Sequence, residues 1–459
     1  MMVEINGTPT FINIKELGAV GDGVTDDTAA IKTAIDKYSV IYIPKGSYVY
    51  NGKVSLKRDT TIISEGASLV INNIEGTNYW YKAFDASNYN LAIENLNFEI
   101  NLPSGLFPDG TTTTYRFILL ASNNSTVKVR NSTINIVSCE NQTNVFYFYG
   151  GTKYELENIT CNLDSTGYNG AICWSQTNTA ANSGTLRNCT FTQVCRDEII
   201  GLWGNYDNSM DCYNVKILRL NNANTDPTAF VSIRANNAAA KVDAIFTNCY
   251  FENQHIDQGA IISCHGLVKM TTGYTKSVFN SCTFKVKSAT DSFLYGTAVN
   301  TTFGFGYTSY EEFEKSQSIT LNNCDIDLET GFFSYGTYPI CTTLNNCKLK
   351  LPETSIKYSG GNTNVVPYTL KFNGCKITYY NTLNNNYRRL MQINPNDGIR
   401  YLFLNCEIEL IDISVNYRTC LITTVVVTPS WSTNLGGAYF YKCYSNSYNV
   451  IADTTFKVT

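Results

Sequence analysis

Histidine is nearly missing from this chain. His255 and His265 are the only two in 459 positions, which argues against a metal centre built from imidazoles. Charge is sparse as well. Only 16% of residues are Asp, Glu, Lys or Arg, the net charge is −4 and the isoelectric point is about 5.4, so the basic surface that nucleic acid requires is absent. No apolar run approaches the roughly 18 residues of a membrane helix, so no membrane insertion is expected. Residues Met1 to Thr10 lack the apolar core of a standard secretory signal. The 16 cysteines never form a C-x-x-C pair, which removes the commonest zinc spacing. Neither a metal nor a cofactor is expected. What fills the chain instead is Asn, Thr, Ser, 32 tyrosines and 23 phenylalanines. Such a surface suits neutral or polar ligands, carbohydrate among them.

One stretch organises the rest. Gly18, Gly21 and Gly23 permit a tight turn. Thr25, Asp26 and Asp27 then offer side-chain oxygens to cap a helix. Ile31, Ala34, Ile35 and Tyr38 recur at helical spacing, which predicts a short helix with one apolar face. The β-branched run from Val40 to Ile43 predicts a strand, stopped by Pro44 and Gly46. A short helix followed at once by strands suits the open end of a strand stack, where it covers apolar surface and an unpaired edge.

A repeat follows. Asn, then Cys or another small or apolar residue, then a strand of alternating character recurs from Asn95-Leu96 through Asn131-Ser132, Asn158-Ile159, Asn188-Cys189, Asn248-Cys249, Ser281-Cys282, Asn323-Cys324, Asn346-Cys347, Gly374-Cys375 and Asn405-Cys406 to Cys443, with Cys212 read as a degenerate copy. These twelve copies lie on average about 32 residues apart. The uneven spacing fits coils of a β-helix, whose strands stay in register while loops vary. Stacked Asn residues can form a side-chain ladder, and the cysteines an interior ladder of free thiols. The expected organisation is a lead-in and capping helix over 1–39 and a solenoid over 40–459. The segments Asn101 to Thr114 and Gly304 to Ser318 are expected to form long loops.

The run from Gly18 to Ile31, Gly-Ala-Val-Gly-Asp-Gly-Val-Thr-Asp-Asp-Thr-Ala-Ala-Ile, and the run from Val40 to Tyr48 resemble the opening of the pectate-lyase-like superfamily of right-handed parallel β-helices. The resemblance implies an all-β fold, a single right-handed parallel β-helix of about twelve coils with a short N-terminal capping helix. It also implies activity on acidic or neutral polysaccharides. Among relatives the chain looks most like the tailspikes and appendages of bacteriophages. Three such chains associate side by side, and acidic residues on the solenoid face cleave capsule, O-antigen or teichoic acid. That reading implies a homotrimer, a virion tail or adaptor protein as partner, and a place on the virion after cytoplasmic synthesis, with secretion as the alternative.

Candidate chemistry lies in a strand that recurs in the middle coils: Gly170 to Gln176, Glu198 to Gly204, Thr228 to Arg234 and Gly259 to His265. Side chains alternate faces along a strand. If the four segments align end to end, Ala171, Cys173, Ile199, Gly201, Val231, Ile233, Ile262 and Cys264 point inward. Trp174, Gln176, Glu198, Arg234 and His265 then point outward, with Arg196, Asp226 and Asp257 just upstream. Carboxylates on adjacent rungs would be about 5 Å apart and two rungs apart about 10 Å. Glycoside hydrolysis needs about 5–5.5 Å when retaining and about 6.5–9.5 Å when inverting. Glu198, Asp226, Asp257 and Asp197 are therefore the catalytic candidates, with Trp174, Gln176, Arg196, Trp203, Arg234 and His265 as sugar-binding candidates. Each also has a plainer role. Asp226 precedes Pro227 and Asp257 lies near Gly259, so both suit turns, and Arg234 and His265 suit a solvated face. A non-catalytic glycan-binding β-helix and a lyase using Arg196, Arg234 or Lys241 as base remain open alternatives.

Overall fold

The computed structural model describes residues 4–5, 8–9, 11–77, 80–102, 115–138, 143–164, 170–194, 198–220, 229–256, 258–266, 270–296, 314–335, 340–357, 369–380, 387–393, 400–411, 418–424, 437–441 and 443–445. The chain is nearly all β, a right-handed parallel β-helix of about ten turns rather than twelve. A motif copy marks a turn without guaranteeing a complete one. Around Cys443, the described residues hold only the strands Gly437–Tyr441 and Tyr444–Ser445. Two compact units divide the chain, Met1–Pro227 and Thr228–Thr459.

The N-terminal unit opens with the short antiparallel pair Glu4–Ile5 and Thr8–Pro9, followed by Phe11–Asn13, which pairs in parallel with Val40–Ile43. The helix Thr28–Lys37 buries Ala30, Ile31, Ala34 and Ile35, the face its spacing predicts. Its capping differs from expectation. Asp27 occupies the N-cap position but makes no side-chain capping bond. Its buried carboxylate instead accepts from the N–H groups of Val20 (2.6 Å) and Gly21 (3.1 Å), clamping the glycine turn. Asp26 takes over at the helix, accepting from the Thr28 N–H at 3.0 Å. Asp22 accepts from the N–H groups of Thr25 and Val24 and from the Thr25 hydroxyl, which together hold its carboxyl down at about 2. Gly21 cannot carry a side chain. Its φ is 67°, and a Cβ there would lie 2.5 Å from the Tyr48 ring.

Beyond this cap, each coil of the unit contributes strands to two parallel sheets. One contains Thr60–Ser64, Leu91–Glu94, Thr126–Ser138, Lys153–Asp164, Asn182–Arg187 and Asn208–Tyr213. The other contains Trp80–Asp85, Tyr115–Ser122, Thr143–Tyr149, Gly170–Thr177 and Ile200–Gly204. At the recurrent turn, Asn95, Asn131, Asn158, Asn188 and Asn214 all adopt φ between 52° and 58°, the left-handed conformation that Asn tolerates better than most residues. Their side chains form the expected ladder. Asn158 donates to Asn131 at 2.8 Å, Asn188 to Asn158 at 3.2 Å and Asn214 to Asn188 at 3.1 Å. The copy assigned to Cys212 is in fact centred on Asn214, with Val215 buried in the place that cysteine takes elsewhere. Cys212 is buried in the strand that leads up to it.

The C-terminal unit repeats the plan. Asn248, Asn323, Asn346 and Asn405 take the left-handed turn, with Ser281 and Gly374 substituting. Phenylalanines stack along the axis, Phe246 on Phe279 at 4.8 Å, Phe251 on Phe284 at 4.6 Å and Phe372 on Phe403 at 4.6 Å. Thirteen cysteines, among them Cys161, Cys249, Cys324 and Cys406, are free. Those after the turn point their thiols at a carbonyl of the preceding rung, Cys324 at Phe279, Cys347 at Leu321 and Cys375 at Leu344. The neighbouring Cys347 together with burial pushes the Cys375 thiol up to about 12. The predicted loops fall mostly outside the described residues. Of their margins, Asn101 and Leu102 end the strand Asn97–Leu102, and Gln317 begins the strand Gln317–Asn322.

Two outcomes are expected. Asn158→Ala loses one donated and one accepted ladder bond and gains left-handed strain, so it should cost about 1–3 kcal/mol in urea unfolding, whereas Asn158→Gly should cost less. Equal costs would show that the left-handed turn contributes nothing. The second concerns Asp85. Burial opposes its ionisation, but Ser87 (2.6 Å from its hydroxyl) and Lys82 (2.9 Å) win, and its carboxyl is held below the ordinary value. A depressed folded pKa contributes stability above the unfolded value of about 3.9 and loses it as pH falls through the folded value. The melting-temperature advantage of wild type over Asp85→Asn should therefore be full near neutrality and shrink below about pH 4. An advantage unchanged in acid would contradict this.

Candidate functional site

In the N-terminal unit, the outward face of the strands Tyr115–Ser122, Thr143–Tyr149, Gly170–Thr177 and Ile200–Gly204 is aromatic. Register places Leu120, Tyr147, Trp174 and Gly201 in one column, and Ser122, Tyr149, Gln176 and Trp203 in the next. Phe117, Leu120, Tyr147, Ala171 and Trp174 form one buried cluster, against which Tyr149 and Trp203 pack. The Phe117 and Tyr147 rings lie 4.6 Å apart, Tyr147 and Tyr149 6.2 Å, and Trp174 and Trp203 4.7 Å. The Tyr147 hydroxyl donates to Gln176 Oε1 at 2.7 Å, and Asn178 donates to the Tyr149 hydroxyl at 3.0 Å.

The register is one residue away from the end-to-end alignment. Cys173 faces Ile200 and Trp174 faces Gly201 over the paired stretch. An irregularity is also shared by three rungs. Ile118, Val145 and Ile172 drop out of the ladder, and both Ile172 and Cys173 donate to the carbonyl of Ile199. One extra residue reverses the parity upstream of it. Ala171 therefore joins the outward cluster instead of pointing inward, and Gly201 stands beside Trp174. A Cβ at Gly201 would lie 2.8 Å from the Trp174 ring, so the glycine makes room for the indole.

Trp174, Gln176 and Trp203 are thus brought together, while Trp174 is itself only 6% exposed. Glu198 lies just before the strand Ile200–Gly204 and is 8% exposed. Arg196, Asp197 and Asp226 lie outside the described residues. In the C-terminal unit the alignment holds. Val231 faces Ile262, and Arg234 faces His265. Val231, Ile233, Ile262 and Cys264 are buried, and Arg234 is half-buried with its Nε donating to Asn236 at 3.1 Å. Asp257 lies outside the described residues. Lys241 begins the strand Lys241–Thr247, which belongs to the other sheet.

Sequence reasoning missed Phe117, Tyr147, Tyr149 and Asn144. Its recurring strand began at Gly170, although Thr143–Tyr149 is the same element one rung earlier. It also missed polar groups inside the coil. Arg219 is fully buried and donates through Nε and Nη2 to Gln193 Oε1 at 3.2 and 2.8 Å, and Gln193 Nε2 donates to the Gly170 carbonyl.

Residues 11–226 match the family model described as rhamnogalacturonase A/epimerase, pectate lyase-like. Over that span, a little under half of the chain, it resembles this pectate-lyase-like family. Mannuronan C5-epimerase AlgE1 of Azotobacter vinelandii is 36% identical over 77 residues, 14% of this chain and 6% of that protein. Plasmin and fibronectin-binding protein A of Streptococcus pneumoniae (strain ATCC BAA-255 / R6) is 34% identical over 76 residues, 15% of this chain and 11% of that protein. The chain therefore spans only a small part of the length of the curated relatives it matches. Two solved structures resemble it. The surface adhesin PfbA of Streptococcus pneumoniae has a TM-score of 0.44 and 13% identity, over 95% of this chain and 91% of that one. A tailspike protein mutant of E. coli bacteriophage HK620 in complex with a pentasaccharide has a TM-score of 0.41 and 10% identity, over 90% and 78%.

Asn144 supplies the test of this face. It is 1% exposed, and neither its amide nitrogen nor its oxygen has a hydrogen-bond partner. Unpaired buried polar groups cost about 1–3 kcal/mol each. Asn144→Leu, similar in size, should therefore raise the melting temperature by several degrees. A lower melting temperature would show that the amide is satisfied in solution.

Proposed function

We propose that this chain binds a cell-surface polysaccharide along the outward aromatic face of its N-terminal unit and cleaves it by hydrolysis. The observation that carries the reading is the run of Phe117, Tyr147, Trp174 and Trp203 over four consecutive rungs, and Glu198 lies just before the strand that carries Trp203. Flat rings match the CH faces of sugars, and the Gln176 amide beside them supplies polar contact. The rhamnogalacturonase and epimerase in the family description support polysaccharide as the ligand class. Glu198 would give its proton to the glycosidic oxygen as the C–O bond breaks. A water, deprotonated by a second carboxylate such as Asp226, Asp257 or Asp197, would add to the anomeric carbon. A tailspike-like homotrimer on a virion, working on capsule, O-antigen or teichoic acid, is the biological setting of this proposal.

A second reading, a glycan-binding β-helix without catalysis, is favoured by the burial of Glu198, which leaves little of its carboxyl open to substrate. The lyase reading has less support, since Lys241 stands on another sheet and Arg234 is engaged by Asn236.

Incubation with purified capsules, O-antigens and teichoic acids, followed by reducing-end release, separates these readings. Glu198→Gln should preserve the fold and sugar binding while slowing cleavage by roughly 10²–10⁴-fold. Full activity in that variant would remove Glu198 from the chemistry. Binding without cleavage in wild type would establish the second reading, and a product absorbing in the ultraviolet as an unsaturated uronide would establish a lyase.

A further inference from the structure

The other sheet of the N-terminal unit carries a cleft of about 540 Å³ on its outward side, away from the aromatic face. Register explains why a flat sheet is hollowed there. Three outward columns cross the strands Thr126–Ser138, Lys153–Asp164, Asn182–Arg187 and Asn208–Tyr213. On the rung Asn182–Arg187 they place Ser183 and Thr185, with Ser209 on the next, so the middle of the patch has short hydroxylated side chains. Long charged side chains stand around it.

Their pairing is uneven. Glu155 is neutralised by Lys128 at 3.3 Å and Arg130 at 2.6 Å. These bonds hold its carboxyl below the ordinary value, so it stays an anion bound to its own partners. Lys153, Arg187 and Asp211, by contrast, make no side-chain hydrogen bond or ion pair among the described residues. Arg187 is nonetheless held in place, its guanidinium 4.7 Å from the Tyr213 ring centroid on the next rung. Lys153 faces Ser183, four residues before Arg187, so the two free cations flank the hollow about 13 Å apart along the strand direction. Between them lie hydroxyls and one free carboxylate, Asp211.

We propose that this cleft is a second saccharide site, selective for an acidic glycan segment. Lys153 and Arg187 would take acidic groups at its two ends, while Ser183, Thr185, Ser209 and Asp211 would meet hydroxyls between them. Arg187 suits a planar or tetrahedral oxyanion through two parallel N–H groups. The acidic group is a carboxylate or a phosphate ester, the chemistry common to uronic-acid and teichoic-acid chains. The site does not depend on catalysis at the aromatic face.

The full chain is titrated by calorimetry with trigalacturonate, with a glycerol phosphate trimer, and with fully methyl-esterified trigalacturonate as the uncharged control. One of the two anions should bind, more weakly as salt rises, and the ester should not. Whichever anion binds identifies the acidic group. The double variant Lys153→Ala with Arg187→Ala, both exposed positions, should fold normally and bind about tenfold or more weakly. Trp174→Ala should leave this binding intact. The proposal fails if neither anion binds wild type at millimolar concentration, if the ester binds as well as the acid, if the double variant binds like wild type, or if Trp174→Ala abolishes the binding.

Discussion

Parallel stacking of like on like is the constraint on which everything else here depends. Each strand pairs with its equivalent one coil away, so a residue meets its own counterpart about 4.8 Å above and below. A side chain must therefore tolerate its own kind. Asn does so by passing an amide hydrogen to the next amide oxygen, as from Asn214 down to Asn131. Phenylalanine does so by stacking nearly flat, as Phe372 does on Phe403 with 4° between the ring planes. Cysteine does so by being small and turning its thiol toward a backbone carbonyl of the rung before.

The same constraint shapes both surfaces that could hold a ligand. On one sheet, a ladder irregularity repeated at Ile118, Val145 and Ile172 brings Phe117 and Leu120 onto a single face, and the rungs above inherit the arrangement. Gly201 then leaves space that the Trp174 indole occupies. On the other sheet, the columns that begin with long charged residues reach Ser183, Thr185 and Ser209 within a few rungs, and the exchange of long for short opens a cleft. In both places the site arises where one rung departs from its neighbours.

Buried polarity divides along similar lines. At the cap, the Asp27 carboxylate is buried and matched to two backbone N–H groups. Within the coil, Arg219 and Gln193 bond to each other and on to the backbone. Asn144, in the aromatic face, and the indole nitrogen of Trp174 have no such partners.

The sequence by itself determined the fold class, the capping helix, the strand Val40–Ile43 and the ladders of Asn and Cys. Each rests on local chemistry: the left-handed turn selects Asn or Gly, helical spacing marks one apolar face, and small residues recur where coils touch. It also placed Arg234 opposite His265, because no irregularity separates those strands. Only the tertiary structure decided the register between Gly170–Thr177 and Ile200–Gly204, since two short strands of similar character align equally well one residue apart until the coils are stacked. It alone revealed Asp27 holding a turn instead of a helix, and Val215 in place of Cys212. The cleft beside Lys153 and Arg187 was illegible for the same reason. Its residues lie on four strands spread from Thr126 to Asp211, and nothing but the stacking of coils makes them neighbours.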